Sequence, residues 1–180
     1  MLSFLTKKKI SEDKLANVIV NSLCNTVDEG FSDIAGLIND DPTFVTKPNI
    51  LDHGSDKFLV IVVCANLKML NKHFDAEQEN RIKFKIIEKF SVVFGMEEEK
   101  FYSYIKDYSS LMSKLNHPSK NVLYSMSKAV YNKYQLNCHQ EEYFKEMKTP
   151  NPILLKRLDE LMENFIWDWE KFFNKYKVTD

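Results

Sequence analysis

Glycine and proline are scarce, with four and five residues in a chain of 180. Nearly all lie between stretches whose apolar residues repeat at helical spacing: Gly30 and Gly95 close such stretches, while Pro118 and Pro152 open others. Glycine suits the left-handed position just past a helix, and proline suits its first turn, where a missing N–H costs nothing. A chain punctuated in this way reads as all-α. Long apolar runs are also missing. The longest, Phe58 to Ala65, falls far short of the roughly 20 residues that cross a bilayer, so membrane insertion is not expected.

Arginine is nearly absent. Only Arg81 and Arg157 stand among the 25 basic residues, which lowers the odds of a site that grips phosphate or carboxylate with a planar fork. Cysteine is limited to Cys24, Cys64 and Cys138, far apart and without a C-x-x-C pair. Buried free thiols in a reducing cytoplasm are the expected state. The first residues place Lys7, Lys8 and Lys9 after a very short apolar segment, the reverse of a secretory signal, so the expected location is cytoplasmic.

A net charge of −1 excludes a strong whole-molecule field for nucleic acid or acidic lipid. Locally the charges separate. Asp28 to Asp56 carries seven acids against Lys47, and Lys100 to Leu136 carries six lysines against Asp107. Each is expected to be a solvated helical surface. Apolar residues at 44% and a single-domain length are enough to bury a real core.

The helical reading starts with Ser11 as N-cap of a helix over Glu12 to about Glu29, followed by a shorter helix from Phe31 to Ile38. Asn39 to Ser55 is the longest connection and a candidate mobile or functional loop. Phe58 to Ala65 is rich in β-branched residues, but no second strand exists to pair with it. It is taken as a helix over Asp56 to Lys72, apolar all round and therefore central. Helices ending at Gly95, at Asn116 and near Asn137 follow, then a short piece through Met147. The last helix begins at Pro152 and is marked by Leu154, Leu158, Leu161, Phe165, Trp169, Phe172 and Tyr176 at 3–4-residue intervals. The expected fold is all-α: one irregular bundle of six to eight helices, with a central apolar helix and an aromatic-rich C-terminal helix. Residues 1–10 are expected to be loosely packed, and 11–177 to form the single domain.

Motifs that carry chemistry are absent. No glycine-rich phosphate loop or His-Glu-x-x-His occurs, so no catalytic residue, metal ligand or cofactor is assigned. His139 with Glu142, and His73 with Glu77, read as surface polar pairs. A helix-turn-helix at Gly30 would have an acidic second helix, so DNA binding is not expected. Lysines mixed with Tyr102, Tyr104, Tyr108, Tyr124, Tyr131 and Tyr134 could suit single-stranded nucleic acid, but most of these tyrosines fall on apolar stripes. Asp52, His53 and Ser55 form a possible polar loop site; the same residues also suit a turn capped by Ser55.

Four large residues point away from their helices' apolar faces: Phe84, Tyr124, Tyr131 and Trp167. They either meet a second helix layer or form an interface for a protein partner or homodimer. The leading expectation is a non-enzymatic helical protein that binds a partner or itself. The alternatives are a small-molecule-binding domain with an apolar pocket between helices, or an enzyme of unrecognised type.

Overall fold

The computed structural model describes residues 7–180. Helices dominate: α1 (Glu12–Asn39), α2 (Asp56–Met69), α3 (Ala76–Val93), α4 (Glu98–Leu115), α5 (Val122–Lys133), α6 (Glu142–Glu146), α7 (Pro152–Met162) and α8 (Trp169–Lys175). The one sheet among the described residues pairs β1 (Lys8–Ser11) in parallel with β2 (Tyr176–Thr179). The chain is an all-α bundle, with α2 packed against α1, α4 and α5. The β-branched run lies within α2, and every residue from Val60 to Leu67 is buried. No helix of the described residues is long and apolar enough to cross a membrane.

Local signals set most helix starts. The side chain of Ser11 accepts the Lys14 N–H, and that of Asp75 accepts the N–H groups of Glu77 and Gln78. Asn121 and Asn151 do the same for Leu123 and Ile153, with Pro152 in the first turn of α7. Each bond satisfies an N–H that the helix itself leaves free. Gly95, at φ +61°, stops α3.

Three sequence expectations are corrected. Gly30 does not end a helix: α1 runs through it, and its buried stripe continues as Val27, Phe31, Ile34 and Ile38. Glycine is needed there for space, because a Cβ would lie 2.8 Å from Cζ of Phe165. The C-terminal helix is not continuous. After α7 comes a tight 3-10 turn, Glu163–Phe165, then extended Ile166, then α8, and Tyr176 is in a strand. Lys8 to Ile10 are not loosely packed, since they pair with Tyr176 to Val178 and Ile10 is buried. The remainder of that expectation, residues 1–6, lies outside the described residues.

The break after α7 is held by a residue a hundred positions away. Asn66, the one amide in the buried part of α2, donates to the carbonyls of Val62 and Phe165 at 2.9 Å and accepts the Trp167 N–H at 2.8 Å. A buried backbone group without a partner is costly, and Asn66 supplies partners for two of the groups that the break leaves free. Asp168 then caps α8 by accepting the Lys171 N–H.

Both arginines are committed to buried carboxylates. Arg81 forks onto Glu12 at 2.9–3.2 Å and also reaches Glu77 and Asp180. Arg157 meets Asp41 at 2.8 Å. These pairs join α3 to the start of α1, and α7 to the connection after α1.

Candidate functional site

The strongest candidate is a groove running along α1. One end is a cleft of about 350 Å³ between Val18, Ser22 and Thr26 of α1 and the segment from Asn164 to Tyr176. Leu23, Phe165, Ile166, Trp167 and Phe172 give it an apolar surface. A second cleft of about 280 Å³ shares Thr26, Asn164 and Phe165 with the first and continues past Gly30 to Asp33 and Ile34. The two make one groove, spanning α1 from Val18 to Ile34, about 24 Å at 1.5 Å per residue. Its wall depends on the break in the C-terminal segment, because extended Ile166 and Trp167 form part of it.

Trp167 is half-buried in this wall, packed edge-on against Trp169 at 6.3 Å and against Phe172 at 6.1 Å. Its indole N–H is turned inward without a partner, so the ring offers the groove apolar surface alone. Charge is divided between the two ends. Lys171 and Lys175 flank the Trp167 end, where Asp168 also stands, while Glu29 and Asp33 flank the other. None of these five makes an ion pair among the described residues.

The other residues singled out in the sequence do not join this groove. Phe84 is exposed and stacks on Tyr102 of α4 at 5.9 Å. Tyr124 is half-buried, with the Lys128 ammonium 4.6 Å from its ring centre. Tyr131 is buried, which removes it from any exposed face. Its hydroxyl donates to Asn137 and accepts from buried Gln140, which also holds Thr149 and Asn151. Burial pushes the Tyr131 hydroxyl up to about 12. The layer over Tyr131 is therefore a polar excursion between α5 and α7, not a further long helix.

Asp52 and His53 are exposed on a 3-10 turn, Ile50–His53, that is anchored by buried Ile50, and no hydrogen bond joins their side chains to that of Ser55. Ser55 occupies the N-cap position of α2, but its side chain makes no capping bond. The long connection is anchored at several points. Asn39 accepts the Ile50 N–H, Val45 donates to the His139 carbonyl, and Asp41 binds both Thr43 and Arg157. His139 Nδ1 is hydrogen-bonded to Thr46 Oγ1 at 2.8 Å. Cys64 is buried and Cys24 half-buried, but Cys138 is exposed, which corrects the expectation of three buried thiols.

Asn66 and Gln140 were missed by sequence reasoning. The available signal was a lone amide inside an otherwise apolar run, Val62-Val63-Cys64-Ala65-Asn66-Leu67, since such a group must find partners when buried. No protein-family model matches this chain, and no curated protein or solved structure is significantly similar to it.

Proposed function

We propose that this protein is a binding module that takes an apolar, charge-polarised segment of another protein into the groove along α1. The observation that carries this reading is the continuity of the two clefts through Thr26, Asn164 and Phe165. A trough about 24 Å long suits a helix of some four turns better than a compact small molecule. Half-buried Trp167, backed by buried Phe172, supplies aromatic surface of the kind that dominates binding energy at protein interfaces. Two lysines against the one carboxylate of Asp168 at one end, and two acids at the other, set a direction: the ligand segment carries acids over Lys171 and Lys175 and bases over Glu29 and Asp33. A second copy paired groove to groove about a two-fold axis would leave it unfilled, which favours a different chain as occupant.

Selection of peptides from a displayed random library on the immobilised protein tests this. Enriched sequences should share bulky apolar residues at helical spacing between an acidic and a basic end. Trp167→Ala and Val18→Glu should each weaken their binding by roughly tenfold or more, as expected for loss of an aromatic anchor or burial of a charge. Peptides that bind both variants as well as the parent protein overturn the proposal, as does a dimer in light scattering that Val18→Glu dissociates.

A further inference from the structure

A second concavity lies on the other side of α2, and its chemistry is opposite to that of the groove. It is a pocket of about 250 Å³ walled by α2, α3, α4 and α5. Three helices each turn a pair of residues at i, i+4 spacing toward it: Cys64 and Lys68, Glu79 and Lys83, Ser109 and Ser113. Residues so spaced share one helix face, so three polar or weakly polar faces converge on one space. Bundle interiors are ordinarily filled with close-packed aliphatic side chains.

The pocket is electropositive. Lys68 and Lys83 make no ion pair among the described residues, leaving two ammonium groups against one carboxylate. Ser125 adds an independent observation. It is 1% exposed, lines the pocket, and its hydroxyl has no hydrogen-bond partner. A helical serine commonly bonds back to the carbonyl four residues earlier, but this one does not. An unmade hydrogen bond in the interior costs free energy that a bound oxygen atom would recover.

We infer that this pocket is a binding site for a small hydroxylated phosphate monoester. The two lysines balance a dianionic phosphoryl group, and lysine serves phosphate well as a point charge even where arginine is lacking. The serine hydroxyls donate to phosphoryl oxygens, and Glu79 accepts from a ligand hydroxyl. Cys64 takes no nucleophilic part. Burial pushes its thiol up to about 11, against the pull of Ser109 and nearby lysines, and it donates weakly to the Ile105 carbonyl at 3.6 Å.

Calorimetric titration and thermal melting with glycerol 3-phosphate test the inference, with glycerol and sodium sulfate at matched ionic strength as controls. The ester should bind saturably and raise the melting temperature; the controls should do neither. Lys68→Met and Lys83→Met should each weaken binding about tenfold, whereas Lys85→Met, on a residue that does not line the pocket, should not. Ser125→Ala should weaken binding without lowering the melting temperature of the free protein, a combination that a purely structural role would not give. Absence of saturable binding, an equal response to sulfate, or unchanged binding in both lysine variants overturns it. None of these outcomes depends on the groove along α1.

Discussion

Asn66 shows how much of this architecture rests on single polar side chains. Among the described residues, its amide is the hydrogen-bonded link by which buried α2 holds the carbonyl of Phe165 and the N–H of Trp167. Asn66→Ala leaves both groups without that partner, and at about 1–3 kcal/mol each the expected loss is roughly 2–6 kcal/mol in urea unfolding. The tryptophan emission of the native state should shift as well, because Trp167 loses its anchor. Asp41 makes a different prediction. Burial alone would raise its carboxyl, but the two bonds from Thr43 and the Arg157 guanidinium outweigh burial and hold it below its ordinary value of 3.8. Between that value and the lower folded one, the unfolded chain binds the proton more readily, so acid favours unfolding. This contribution is complete above the ordinary value and is lost as pH falls through the folded one. The gap in urea midpoint between the parent protein and Arg157→Met should therefore be wide at neutral pH and narrower near pH 3.

Among the elements, those with local causes were legible in the sequence. Asp75 and Gly95 bracket α3, and Asn151 with Pro152 opens α7, because a cap and its N–H lie within a few residues of each other. The central place of α2 was legible from its all-round apolarity. The failures at Gly30 and after Pro152 share one physical reason: the partner is distant in sequence. Gly30 resembles a stop signal until Phe165 is seen against it, and the regular aromatic spacing after Pro152 conceals a break whose free backbone groups Asn66 satisfies. Trp167 was singled out for a direction it would have had on a continuous helix. It lines the groove because that helix is interrupted, so the residue was legible and its geometry was not. The two glycines of α1 give a paired test. At Gly36 an added Cβ meets nothing within 4 Å, and Gly36→Ala should stabilise by about 0.5–1 kcal/mol through helix propensity. At Gly30 the same change drives a methyl into the Phe165 ring, itself held edge-on by Phe58 at 4.8 Å. Overpacking of roughly 1–3 kcal/mol should exceed the propensity gain there. Thermal melts of the two variants should move in opposite directions.

Across the whole molecule, most tyrosines of the 100–136 region are packed inside, whereas four of its six lysines, Lys100, Lys106, Lys114 and Lys120, are exposed. Tyr108 and Tyr134 are buried, and the Lys133 and Lys57 ammonium groups lie 3.8 and 5.6 Å from their ring centres. The groove and the polar pocket lie on either side of α2, each built from segments that meet only when the bundle is assembled. The parallel pair β1 and β2 has a further consequence, for the order of events in time. Its strands come from opposite ends of the described chain, and closing so large a loop for a few hydrogen bonds is entropically unfavourable until the intervening helices have brought the strands together. The sheet should therefore be the last element to assemble and among the first to open. In native-state hydrogen exchange, the backbone amides of Ile10 and Val178 should exchange through a local opening that leaves Val62 and Val63 of α2 protected to the limit of global unfolding. Since Lys175 and Tyr176 line the groove, each such opening would also loosen one of its walls, giving any bound segment an intermittent route in and out.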